Sequence, residues 1–112
     1  MPFKYFKTFE KDSLADGSEY SDTWYPDEDI VIKRIYLLNK DGSAFTDSEF
    51  YLKVKESVYT LSIVPAKVLG EQRNVTPELN IPVTAKQVVG FTFTNNEGST
   101  ISLYIVFECW SA

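Results

Sequence analysis

Between Val88 and Cys109 the chain alternates apolar and polar residues on both sides of a turn signal, and no other stretch restricts the fold as much. Val89, Phe91 and Phe93 alternate with Gly90, Thr92 and Thr94. After Asn95-Asn96-Glu97-Gly98, residues Ile101, Leu103, Ile105, Phe107 and Cys109 alternate with Ser102, Tyr104, Val106 and Glu108. A period of two puts successive side chains on opposite sides of a pleated strand, so each segment has one face for the core. Two such segments around an Asn/Gly-rich turn predict a long β-hairpin, and with it antiparallel sheet.

The rest of the chain repeats the same theme in shorter pieces. Phe3 to Phe9 reads as a first strand, Asp12 to Ser18 as a turn, and Glu19 to Tyr25 as a second strand ended by Pro26-Asp27-Glu28-Asp29. Ile30 to Leu38 is a third, with Ile30, Ile32 and Leu38 expected inward and a broken alternation in its middle that marks a bulge. A turn at Asn39 to Ser43 opens a polar connection up to Glu49. Phe50, Leu52 and Val54 then face in, while Tyr51, Lys53 and Lys55 face out. Val58 to Val64 continues as a strand, Lys67 to Pro77 is irregular with a weakly supported short helix near Pro65 to Leu69, and Pro82 to Gln87 leads into the closing hairpin. About seven or eight short strands, with long connections at Gly42 to Glu49 and Leu69 to Pro82, predict an all-β antiparallel sandwich of jelly-roll or Greek-key topology. Residues 1–112 form one domain, with 1–9 as an N-terminal arm or edge strand.

Composition removes many chemistries. There is no histidine, which eliminates Ser-His-Asp and Cys-His nucleophile systems and every His-containing zinc site. A single cysteine, Cys109, allows no internal disulfide; on an apolar strand face it reads as a small buried hydrophobe. The five glycines are scattered and form no phosphate-cradling loop. A formal charge of −5 argues against binding to nucleic acid or to anionic membrane. Met1-Pro2-Phe3-Lys4 lacks a basic-then-apolar leader pattern, and no stretch approaches membrane-spanning length, so synthesis in a cytoplasm is expected.

Paired carboxylates remain for catalysis, with Glu108 between Tyr104 and Trp110 as the better candidate, although an outward, solvated Glu is the simpler reading. Asp27 and Asp29 are weak calcium candidates in the turn after Pro26, without the spacing of a defined calcium loop. Asn74-Val75-Thr76 is formally a glycosylation sequon. No catalytic residue and no cofactor is assigned.

The aromatics carry the remaining functional signal. Eight Phe, seven Tyr and two Trp make the chain rich in aromatics, which strand cores accommodate readily, and Tyr5, Tyr36, Tyr51, Tyr59 and Tyr104 are expected opposite the best apolar stripes. Tyr104, Val106 and Trp110 fall on the face of the last strand opposite its apolar stripe, and Trp24 and Tyr25 sit at a strand end. Aromatic anchors with little charge among them are what a protein interface needs at its centre. These five residues are therefore the expected interface, with stacking on sugar rings as the alternative use.

The run of strands and turns resembles small β-sandwich proteins of virus particles, namely single jelly-roll coat or decoration proteins. The segments that carry the resemblance are Leu14-Ala15-Asp16-Gly17-Ser18, Asp29-Ile30-Val31-Ile32, Val64-Pro65-Ala66 and Gly90-Phe91-Thr92-Phe93-Thr94-Asn95. It implies a non-enzymatic structural protein located in a virion, acting as a homo-oligomer or on a larger protein shell. It carries over no individual functional residue. The alternative expectation is a carbohydrate-binding module, calcium-stabilised, whose partner is a glycan.

Overall fold

The computed structural model describes residues 4–55, 57–61, 74–76 and 78–112, with only the backbone considered for 57–61 and 74–75. Nine strands and no helix occur among them: β1 (Lys4–Leu14), β2 (Glu19–Trp24), β3 (Ile30–Asn39), β4 (Glu49–Val54), β5 (Ser57–Leu61), β6 (Asn74–Val75), β7 (Ile81–Val83), β8 (Val89–Thr94) and β9 (Ile101–Ser111). The helix expected near Pro65 to Leu69 lies outside the described residues.

The pairings are nested. β1 pairs with β9, β2 with β8, β3 with β6 and β7, and β4 with β5, all antiparallel. Further ladders between β3 and β9 and between β4 and β8 join these pairs into two sheets, ordered β1-β9-β3-β6 and β2-β8-β4-β5. β6 meets β3 at Tyr36 and Leu37 while β7 meets it at Ile30 to Ile32, so the two short strands share one edge position. Eight strand positions in nested order make a jelly roll, the expected antiparallel sandwich.

The closing hairpin is not formed. β8 lies in one sheet, between β2 and β4, and β9 lies in the other, between β1 and β3. The connection at 95–100 arches from sheet to sheet instead of folding back. The alternation is unaffected, because each strand still turns one side to the core: Val89, Phe91 and Phe93 from β8, and Leu103, Ile105, Phe107 and Cys109 from β9, are buried.

Polar ties hold the arch. Asn95 is fully buried; its Nδ2 donates to the carbonyls of Leu14 and Ser99 at 2.9 and 2.8 Å, and its Oδ1 accepts from the Glu97 N–H. The Glu97 carboxylate is cradled by three successive backbone N–H groups, those of Thr46, Asp47 and Ser48, and by the Ser48 hydroxyl at 2.8 Å. Gly98, at φ +87°, is in a backbone region that an L side chain enters only with strain, and its N–H donates to Asp16. Two loops at this end of the sandwich, β1–β2 and β3–β4, are thus bound to the arch.

Two other expectations shift. β1 runs on to Leu14 through an irregularity between Lys11 and Leu14, with Ser13 at φ 55°, so the turn starts later than Asp12. In β3 the bulge is present between Ile32 and Arg34. It reverses the phase of the second half, so Ile35 and Leu37 are buried and Leu38 faces outward, opposite to the expected placement. Phe45, in the connection read as polar, is fully buried with its ring 5.1 Å from that of Phe93.

Phe91 is the centre of the aromatic core. Phe9 and Phe107 reach it from the opposite sheet at 4.9 and 5.8 Å between centroids, and Tyr20 and Phe50 flank it at 5.3 and 5.9 Å. Edge-to-face and tilted rings at such distances add roughly 0.5–1.5 kcal/mol per pair beyond area burial.

Candidate functional site

Among the described residues, the outer face of the β1-β9-β3 sheet carries the most concentrated chemistry. Register fixes its composition. Lys4, Phe6, Thr8 and Glu10 of β1 lie opposite Trp110, Glu108, Val106 and Tyr104 of β9, which lie in turn opposite Val31, Arg34, Tyr36 and Leu38 of β3. The even-numbered positions of β9 and β1 therefore share one surface, while the odd ones of β9, with Tyr5 and Phe9 of β1, face the core.

At the middle of this face sits Glu108, only 5% exposed although it points away from the core. The Tyr36 hydroxyl donates to its Oε1 at 2.6 Å, and Trp110 Nε1 donates to Oε2 at 2.9 Å. Arg34 completes the set with an ion pair at 3.3 Å. Burial pushes the carboxyl pKa up, but the Tyr36 and Trp110 hydrogen bonds and the Arg34 and Lys4 charges outweigh it, and the group is held below its ordinary range. Glu108 is outward, as its position in the strand requires, but it is roofed by its neighbours rather than solvated.

Beside it lies an apolar depression of about 280 Å³ lined by Phe6, Tyr36, Leu38 and Val106. Phe6 is 54% exposed, and its ring meets the Tyr36 ring edge-on at 6.5 Å. Cations rim the patch. Lys40 lies over the Tyr104 ring at 4.9 Å and is ion-paired to Glu10 and Asp12. Lys4 and Lys33 lie over the Trp110 ring at 5.5 and 5.9 Å. An apolar centre with a polar rim is the arrangement of a docking surface.

Of the five expected interface residues, Tyr104, Val106 and Trp110 lie together on this face, all half-buried. Trp24 does not. Its ring packs 5.0 Å from Phe107 and 6.1 Å from Phe9, at the margin of the core, because its register partner Val89 faces inward. Tyr25, 61% exposed, lies with Trp24, Tyr5, Lys7, Pro26, Asp27 and Glu28 around a separate cleft of about 350 Å³, where the β1 and β2 edges approach. Tyr36 shares this face, as its place opposite the apolar stripe predicts, whereas Tyr5 packs against the core. Phe6 and Arg34 escaped the sequence reading: Phe6 was legible in principle, as a Phe in phase with Lys4, Thr8 and Glu10, and Arg34 was hidden by the bulge.

The calcium candidates are engaged in loop contacts. Asp27 is ion-paired to Lys86 at 2.5 Å, and Asp29 Oδ1 accepts from the Ala85 N–H at 2.8 Å. Among the described residues no group of three or more His, Cys, Asp or Glu side chains is placed to hold a metal ion. The sequon threonine, Thr76, is buried, and its hydroxyl accepts from the Ile35 N–H at 2.7 Å. Cys109 is fully buried, and burial raises its thiol pKa to about 12.

The outer face of the other sheet is different in kind. Its depression, about 460 Å³, is lined by Ser21, Asp22, Thr23, Tyr51, Lys53, Gly90, Phe91 and Thr92, and the Ser21 and Thr92 hydroxyls bond to each other at 2.8 Å.

No protein-family model matches the chain, and no curated protein matches its sequence. Among solved structures it is similar to the crystal structure of FLHE, with a TM-score of 0.52, 11% identity, and 99% of this chain and 98% of that chain covered. The likeness is one of fold. It is also similar to the Drosophila NLP core, a structure described in terms of pentamer formation and histone binding by that protein, with a TM-score of 0.49, 18% identity and 95% of each chain covered.

Proposed function

We propose that this chain is a non-enzymatic structural protein of a virion or similar assembly, of coat or decoration type, which associates with its own copies or with a larger shell through the outer face of β1, β9 and β3. The observation that carries the reading is the apolar depression of Phe6, Tyr36, Leu38 and Val106, with Phe6 more than half exposed and ionic groups around it. Burying such a patch gains about 25 cal/mol per Å² of apolar surface removed from water. In keeping with a non-enzymatic role, the donors around Glu97 and Glu108 hold both carboxylates below their ordinary range, which suits them to tie the structure together rather than to donate protons near neutral pH. Jelly rolls serve in viral coats and in lectins, so the virion location follows the sequence resemblance and not the fold alone.

The test is the mass in solution over a wide concentration range, for the wild type and for Phe6→Asp. Association that weakens at least tenfold in the variant is expected. A wild type that remains strictly monomeric at millimolar concentration overturns self-association through this face.

A second reading, a carbohydrate-binding module, is favoured by the cleft where Tyr25 stands exposed beside Tyr5, Asp27 and Glu28: an aromatic plane next to hydrogen-bond acceptors suits a sugar ring. Glycan-array silence, with no change on Tyr25→Ala, removes it.

A further inference from the structure

Strand β1 ends its sheet, with β9 as its strand neighbour on one side, and it is long for an edge. Long edge strands pair with other chains unless lysines or bulges block them, so the lysines of β1 decide which registers stay open. We propose that two copies of this chain join by antiparallel pairing of β1 with β1 around a twofold axis at Thr8, fusing the two β1-β9-β3 sheets into one continuous sheet. The inference deepens the assembly reading above and rests on it.

The axis position follows from charge. A twofold normal to the sheet keeps outer faces together, so it must pass through a residue, and residues equally far from it on either side become partners. An axis at Lys7 opposes Lys7 to itself, one at Phe9 opposes Lys7 to Lys11, and axes at Glu10 or Lys11 again oppose like charges. Like charges directly opposite are destabilising. Among axes that pair more than five residues of β1, only Thr8 avoids every such clash. It sets Lys4 against Asp12, Tyr5 against Lys11, Phe6 against Glu10 and Lys7 against Phe9, with Thr8 on Thr8. Three of these are favourable cross-strand types: an ion pair, a Thr–Thr pair, and a lysine against an aromatic whose like already attracts Lys7 within the chain, at 5.4 Å over Phe9.

Two further observations fit this register. The regular register of β1 with β9 ends at Lys11 and Ser13 has a positive φ, so the Thr8 axis uses the regular strand and reaches one residue past it, to Asp12. Phe6, the exposed ring of the docking patch, stands on this strand and would gain the stem of the partner's Glu10 as a neighbour.

The experiment uses the full chain. Wild type is expected to sediment at twice the 12.8 kDa chain mass, or a multiple of that, and Thr8→Lys, which puts two ammonium groups on the axis, to weaken association at least tenfold while keeping the far-UV spectrum. Lys4→Cys mixed with Asp12→Cys should give a covalent heterodimer on mild oxidation. Asp12→Cys alone should not, because its two copies lie eight residues apart along the seam, on the order of 27 Å. An oligomer that ignores Thr8→Lys and gives no mixed cross-link overturns the edge pairing and leaves the face-mediated assembly standing. A wild-type monomer overturns the edge pairing and self-association through the face alike.

Discussion

The Tyr36 hydroxyl and the Glu108 carboxylate meet at 2.6 Å on the outside of a β-sheet, on a carboxylate that is only 5% exposed. A buried ionised carboxylate is costly unless donors surround it. Removing one donor therefore costs more than an ordinary hydrogen bond. Tyr36→Phe is expected to lower the unfolding free energy by about 1.5–3 kcal/mol in chemical denaturation. In a double-mutant cycle, Glu108→Gln should shrink the effect of Tyr36→Phe, because the acceptor has lost its charge.

Glu97 ties the arch to the β3–β4 connection, and its titration should show in the stability of the whole domain. Burial raises its pKa, but the N–H groups of Asp47, Thr46 and Ser48 and the Ser48 hydroxyl outweigh this and leave it lowered. Glu108 is lowered in the same direction. A group with a depressed folded pKa binds fewer protons when folded, so its stabilisation is complete above the unfolded value, about 4.3 for Glu, and is lost as pH falls through the folded pKa. Denaturant midpoints should be flat from neutral pH to about pH 5 and fall steeply below about pH 4. Glu97→Gln should lower the neutral-pH midpoint and flatten the acid limb; an unchanged acid limb would show that other carboxylates govern it.

Asn95 donates two hydrogen bonds to carbonyls in a fully buried position. Asn95→Asp keeps the shape but places an acceptor against the carbonyls of Leu14 and Ser99. A loss on the order of 2–4 kcal/mol is expected, with the variant recovering part of it below the carboxylate pKa, where the acid becomes a donor. Thermal melts at neutral and acidic pH check both parts.

Cys109 has its thiol pKa at about 12 and no exposed surface. Its reaction with an aromatic disulfide reagent should be at least a hundredfold slower in the native protein than in denaturant, and should follow global unfolding. Rapid native labelling would show that the β9 end opens by itself.

The core prediction is the simplest. Phe107 contacts Phe9, Trp24 and Phe91 and is fully buried. Phe107→Ala is expected to cost about 3–5 kcal/mol, measured by denaturant titration, because rings from two sheets cannot collapse into the same space.

What could be read without coordinates was local. Alternation assigned the faces of β4, β8 and β9 residue by residue, since the pleat turns successive side chains to opposite sides whatever the strand pairs with. Tyr104, Val106 and Trp110 were found on that basis, and the broken pattern of Ile30 to Leu38 announced its bulge. The bulge's effect on phase was less legible, which is why Leu38 was placed inward and Arg34 was passed over. Phe45 was missed for a related reason: a lone aromatic in a polar connection has no periodicity to read.

Pairing was decided by the tertiary structure alone. Val88 to Cys109 has the same alternation whether β8 and β9 fold onto each other or onto opposite sheets, because each arrangement buries one face of each strand. The choice depends on which edges the distant strands β1, β2, β3 and β4 offer, and on whether the connection can satisfy its polar groups while crossing between layers. Asn95 and Glu97 do so by bonding to Leu14, Ser99, Thr46, Asp47 and Ser48, residues separated in sequence from the arch except for Ser99. The sequence by itself determined which side of β4, β8 and β9 faces the core; only the assembled sandwich determined that Phe91 and Phe107 look at each other across it.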